Sequence, residues 1–200
     1  IATAFVLYLL ASRMFDQRTG FWTALTYALA PGMSLSSILM TTDVPLLLFW
    51  VLGMYALWRL VERHSMIWGL VFGISLGLGL NAKYAMAFLP ACFILFAAFA
   101  PMGRRALAHP GFWIGIGVGG LLIAPNILWN LANDAVTYRH IAADAQTVSQ
   151  FPNWRGLGDF IFSQAGIMGP VIGIFYLIGL FRRGAGLPEG SWAFLTACSL

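Results

Sequence analysis

Eight apolar runs, each closed by charge or by a proline or glycine cluster, constrain this chain more than any other feature. They cover residues 1–12, 20–40, 44–60, 66–81, 84–100, 111–129, 158–181 and 191–200. A helix that crosses the hydrocarbon of a bilayer needs roughly 20 apolar residues, and the inner runs approach that length. None alternates apolar and polar residues with period two, so none reads as a half-buried strand. The expected fold is therefore all-α: a polytopic transmembrane helix bundle of about six complete and two partial spans. Residues 1–200 read as part of a single transmembrane domain. Ile1 and Leu200 both fall inside apolar runs, and the expectation is an internal stretch of a longer protein.

Composition agrees with the bilayer. The chain is 60% hydrophobic and only 9% charged, against about 25% charged in soluble domains. That excludes a soluble enzyme, a disordered region and a disulfide scaffold. Cys92 and Cys198 sit in apolar runs and behave there as small hydrophobes. The net charge of +4 has no basic patch with interleaved aromatics behind it, so nucleic acid is not an expected partner.

The basic residues orient the bundle instead. Arg13 and Arg18, Arg59 and Arg63, Arg104 and Arg105, and Arg182 and Arg183 occupy alternate loops. The positive-inside rule makes that side cytoplasmic. Trp22, Trp50, Trp58, Trp113, Trp129 and Trp154 fall near segment ends, where interfacial aromatic belts form. Gly69, Gly73 and Gly77 recur at helical spacing, as do Gly115 and Gly119. Such spacing lets helices approach closely in lipid, and packing is the reading given to them.

The opposite side carries few polar groups, and ionisable residues at membrane depth default to functional hypotheses. Asp43 directly precedes an apolar run in Met40-Thr41-Thr42-Asp43-Val44-Pro45. Thr42 or Asp43 can cap the helix there, or Asp43 can be a fixed carboxylate at the outer surface. Lys83, the one lysine of the chain, lies between two apolar runs beside Tyr84. It either snorkels to the interface or binds an anionic headgroup such as a phosphate. The loop over 130–157 supplies Arg139 and His140, able to grip a phosphate or simply to keep the loop solvated. Gln164 follows within the next run, placed to bond across helices or line a site. No HExxH, DxD or cysteine cluster supports a metal site.

Four stretches resemble a known family. Met40-Thr41-Thr42-Asp43-Val44-Pro45-Leu46 resembles the turn that opens a transmembrane helix in polytopic membrane glycosyltransferases of the GT-C class. Gly77-Leu78-Gly79-Leu80-Asn81-Ala82-Lys83-Tyr84 is similar to their glycine–leucine stretch ending in Ser-Lys-Tyr. Pro125-Asn126-Ile127-Leu128-Trp129-Asn130 with Val136-Thr137-Tyr138-Arg139, and Gly158-Asp159-Phe160 through Gln164, match later segments in the same order. The nearest resemblance is to bacterial proteins of the protein O-mannosyltransferase-like group, which includes the aminoarabinose transferases acting on lipid A.

The resemblance implies transfer of a sugar from a polyprenyl-phosphate carrier to a protein, lipid A or glycan acceptor. It places the reaction on the periplasmic face of the bacterial inner membrane. It puts Lys83 beside the carrier phosphate and Asp43 in the active-site cavity; Tyr84, Arg139, His140 and Gln164 are further substrate-binding candidates from their own chemistry and position. The main catalytic carboxylate of the family is expected upstream of Ile1. No cofactor is expected beyond the lipid-linked donor; a divalent cation stays open. The competing reading is a polytopic transporter or carrier flippase, which should show broken helices and charge near the bilayer midplane.

Overall fold

Proline and polar residues set most of the helix ends. The computed structural model describes residues 1–32, 36, 39, 41–133, 156, 158–159, 163 and 190–199. All regular structure within them is helical. Helix α1 (Ala2–Met14) turns at Phe15 into α2 (Gln17–Leu29). Asp16 caps α2, its carboxylate accepting from the Thr19 backbone N–H at 2.8 Å and from the Thr19 hydroxyl at 3.0 Å. The Thr19 N–H, and next its hydroxyl, hold the Asp16 carboxyl below its usual range. A depressed carboxylate favours the folded state above its ordinary pKa and loses that contribution as pH falls through the lowered value.

The run over 20–40, which Pro31 and Gly32 interrupt in the sequence and are expected to end early or kink, does not form one continuous helix. Helix α2 stops at Leu29, because Pro31 disfavours the helical conformation for Ala30. Ala30 is accordingly extended, with ψ of 125°. Helix α3 (Asp43–Arg63) follows and ends at His64, whose left-handed φ of 47° terminates it. Next come α4 (Met66–Ala82), a 3-10 turn (Tyr84–Ala87) and α5 (Phe88–Phe99). The expected span over 84–100 is thus a 3-10 turn feeding a 12-residue helix. Pro90, in the first turn of α5, brings no N–H to that junction.

The arginine pair Arg104–Arg105, expected in a loop, lies in a short helix α6 (Pro101–Ala108). It forms because Gly103 and Ala106 bury one face while Arg104 and Arg105 stay in solvent. Helix α7 (Pro110–Ala132) and, at the far end, α8 (Ser191–Ser199) complete the described elements. Two described helices, α3 and α7, are long and apolar enough to cross a membrane; α1, α4 and the 84–99 stretch are shorter apolar helices. At 1.5 Å per residue α4 reaches about 25 Å, short of a 30 Å hydrocarbon core. Most of the run over 158–181 lies outside the described residues.

Packing runs from α1 against α2 and α3, through α3 against α4, to α4 against α7, the most extensive pair. That last interface is the glycine seam: Gly69 meets Gly111, and Gly73 meets Gly115, backbone to backbone. Small residues make this approach possible where lipid supplies no hydrophobic drive between helices. Phe72, Phe93, Phe96, Phe112 and Phe194 are fully buried. Phe93 stacks on Phe112 at 5.4 Å, and Phe96 meets Phe194 edge-on at 5.3 Å.

This cluster fills the half of the bundle nearer the arginines. Arg13 pairs with Glu62 at 3.0 Å, and Arg59 pairs with Glu62 at 3.5 Å while lying 4.8 Å over the Trp68 ring. Trp58, near the end of α3, is 5% exposed, donates its indole N–H to Glu62 and packs on Phe194.

Candidate functional site

At the other end of the bundle, three helix ends converge. Helix α3 begins there at Asp43, α4 ends there at Ala82, and the last turns of α7 carry Asn126 and Asn130. Lys83 leaves the helical region, with φ of −160° and ψ of 132°, while its N–H still bonds the Gly79 carbonyl at 2.8 Å. That break lets the side chain leave the axis of α4 and reach α3. The ammonium Nζ donates to Asp43 Oδ1 at 2.7 Å across 40 positions of sequence. Both side chains are about half exposed, at 49% and 47%. A pair so solvated is worth about 0.2–1 kcal/mol, too little to be the reason the bundle holds together.

The capping reading of the Thr42–Asp43 turn is not what the structure shows. Thr42 makes no side-chain cap bond, and Asp43 turns to Lys83 instead. The first turn of α3 has little need of a cap. Pro45 has no N–H to satisfy, and the Val44 N–H is taken by the Thr41 carbonyl at 3.1 Å. Asp43 is therefore free to face the neighbouring reversal.

Beside the pair opens a cleft of about 630 Å³ lined by Leu80, Asn81, Lys83, Tyr84, Phe88 and Asn126, with Ala82 and Ala85 completing it. Its lining combines apolar side chains with a cation, a phenol and two amides. The Tyr84 hydroxyl donates to Asn126 Oδ1 at 2.6 Å. Asn130, 2% exposed, donates its amide to the Asn126 carbonyl at 3.0 Å and to Asn126 Oδ1 at 3.2 Å. Asn81 spans two helices, donating to the Gly77 carbonyl at 2.9 Å and the Leu122 carbonyl at 3.2 Å.

The structure thus joins three of the residues singled out from sequence: Asp43, Lys83 and Tyr84. Arg139, His140 and Gln164 lie outside the described residues. Sequence reasoning missed Asn81, Asn126 and Asn130 as site residues. The available signal was two amides, Asn81 and Asn126, inside apolar runs, where an unpaired polar group is costly, with Asn130 directly after the second run. No three side chains of His, Cys, Asp or Glu gather to hold a metal ion among the described residues. His64 and His109 face each other, ring centroids 5.9 Å apart, at the arginine end and away from the cleft.

Residues 1–129 match the family model described as dolichyl-phosphate-mannose-protein mannosyltransferase. The chain belongs to this family. That match takes in Asp43, Asn81, Lys83, Tyr84 and Asn126 and stops one residue short of Asn130. The chain is also 32% identical over 182 residues to the lipid A galacturonosyltransferase RgtD of Rhizobium johnstonii, covering 91% of this chain. It spans 38% of that relative's length. No solved structure matches. The family assignment agrees with the resemblance read from the four motifs, and a helical membrane bundle is the fold it accompanies.

Proposed function

We propose that the full-length protein is a membrane glycosyltransferase that takes a sugar from a polyprenyl-phosphate carrier and transfers it to a lipid A-type acceptor. One observation carries the reading: the lone lysine, fixed by Asp43, stands at a cleft whose lining mixes apolar side chains with hydrogen-bonding ones. A polyprenyl phosphate has the same mixed character, with an isoprenoid chain for Leu80 and Phe88 and a phosphate for Lys83. Likeness to a lipid A galacturonosyltransferase supports the acceptor class and makes a uronosyl group the first sugar to try.

In the reaction the bond from the anomeric carbon to the carrier phosphate breaks. An acceptor hydroxyl oxygen bonds that carbon and gives its proton to a carboxylate base. The polyprenyl phosphate leaves with the electron pair of the broken bond. Negative charge grows on the leaving phosphate, and an ammonium already held in place stabilises such charge without the reorganisation that water must undergo. Lys83 has that role. One of its three N–H donors is held by Asp43, which leaves two for phosphate oxygens. Asp43 positions the ammonium. Arg139, His140 and Gln164 are proposed as further substrate contacts on sequence grounds alone.

The test is a donor comparison. Full-length protein in vesicles should add a uronosyl group to lipid A, read by mass spectrometry, when given polyprenyl-phosphate galacturonate. It should add none when given only the nucleotide-linked sugar. Direct use of the nucleotide sugar overturns the reading. We further propose that the Lys83 end of the bundle faces the periplasm of the inner membrane and the arginine end the cytoplasm. With Cys92 and Cys198 replaced by serine, Thr42→Cys should react with an impermeant maleimide on intact spheroplasts. Arg105→Cys should react only after permeabilisation; the reverse pattern inverts the topology.

A further inference from the structure

Lys83 is not the only hydrogen-bond donor that lines the cleft. Hydrogen bonding among three groups fixes the Asn126 amide in one orientation. Asn130 bonds the Asn126 main-chain carbonyl at 3.0 Å. A carbonyl only accepts, so the Asn130 atom facing it must be the amide nitrogen. That same nitrogen lies 3.2 Å from the Asn126 side chain, which must therefore present its oxygen. The Tyr84 hydroxyl, 2.6 Å from the same oxygen, has no choice but to donate.

With its oxygen held by two donors, the Asn126 amide turns its nitrogen the other way. That NH2 group finds no acceptor among the described residues, and Asn126 lines the cleft together with Lys83. Asn130 is 2% exposed, so the orienting group is fixed inside the bundle and unavailable to any ligand. A buried amide and a phenol thus serve to aim one neutral donor.

Resting on the proposed phosphate role of Lys83, we infer that Asn126 is a second substrate-binding residue: its amide N–H donates to an oxyanion group whose charge Lys83 neutralises. Tyr84 and Asn130 are positioning residues for that donor. The oxyanion chemistry is shared by two sources, the carrier phosphate and the carboxylate of a uronosyl group. An ammonium alone is a point charge satisfied by any anion. Adding a directed amide donor makes the cleft sensitive to where the anion's oxygens lie.

The experiment measures binding of farnesyl phosphate and, separately, of free galacturonate by the full-length protein in phosphatidylcholine nanodiscs. Asn126→Asp keeps the shape and replaces the donor with an anionic acceptor. It should weaken one of the two probes at least about tenfold, as loss of a bond to a charged group does. Loss confined to farnesyl phosphate assigns the oxyanion to the carrier; loss confined to galacturonate assigns it to the sugar. Lowering the pH should narrow the gap between N126D and wild type, because a protonated carboxyl donates again. A merely structural role moves the unfolding temperature but not that pH profile.

Asn126→Ala, tested alongside, covers the case in which N126D does not fold. If Lys83→Ala weakens farnesyl phosphate while both Asn126 variants bind both probes like wild type, this inference fails and the Lys83 reading stands. If Lys83→Ala changes neither probe, the Lys83 reading itself fails.

Discussion

Lys83→Ala in the full-length protein should lower the rate of sugar transfer about a hundredfold or more, the scale on which loss of one preorganised stabilising donor acts. Folding should survive. The Asp43–Lys83 pair is half exposed, and the main-chain bond from the Lys83 N–H to Gly79 does not depend on the side chain. Lys83→Arg keeps the charge but spreads the donors into a planar fork, so it should recover part of the rate. Asp43→Asn separates the roles. If Asp43 acts by holding the ammonium at 2.7 Å, its loss costs roughly tenfold. The double variant should then be no slower than Lys83→Ala, because coupled residues fail additivity. Multiplying losses would make Asp43 an independent participant, and a normal rate in Lys83→Ala would remove the lysine from the reaction. Rates measured with purified protein at saturating and limiting donor distinguish lost binding from lost transition-state stabilisation.

How much of this was legible beforehand follows from which forces act over short sequence distances. The alternation of arginine pairs foretold which helix ends lie together: Arg13 and Arg59 do converge on Glu62, and Asp43 and Lys83 do meet at the opposite end. Charge and apolar run length are written in the local sequence. The helix stops were legible in part. Pro31 marks in the sequence itself the end of α2 at Leu29, whereas the 3-10 turn before Pro90 shortens a run that hydropathy alone extends. The direction of Asp43 was not legible either, because capping and cross-helix pairing need the same carboxylate in the same place. Pro45 decides between them only once the backbone of the turn is known. The orientation of Asn126 depends on Tyr84, 42 positions away, and on Asn130, one turn on; no periodicity carries that information.

The second large effect is expected far from the cleft. Gly73→Val should destabilise the bundle by ~2–3 kcal/mol, the upper range for overpacking, and lower the thermal midpoint in detergent accordingly. A Cβ at Gly73 would stand 2.5 Å from the Gly115 carbonyl oxygen and 2.8 Å from Gly115 Cα. Both are backbone atoms, so no side-chain rotation relieves the contact and α4 and α7 must separate. Gly120→Ala on the same α7 is the matched control: its Cβ would meet nothing within 4 Å, and its midpoint should stay at the wild-type value or rise, since alanine favours a helix by up to ~1 kcal/mol over glycine. Separation also reaches the site, because Lys83 closes α4 while Asn126 and Asn130 ride on α7. Asn81, whose amide ties Gly77 on α4 to Leu122 on α7, would lose one of its two partners as the helices part. Gly73→Val should therefore weaken farnesyl phosphate binding even below its melting range, whereas Gly120→Ala should leave it unchanged. A Gly73 variant that melts and binds like wild type would mean that the two helices do not meet through their glycines, and the cleft would need a different architecture to hold its donors together.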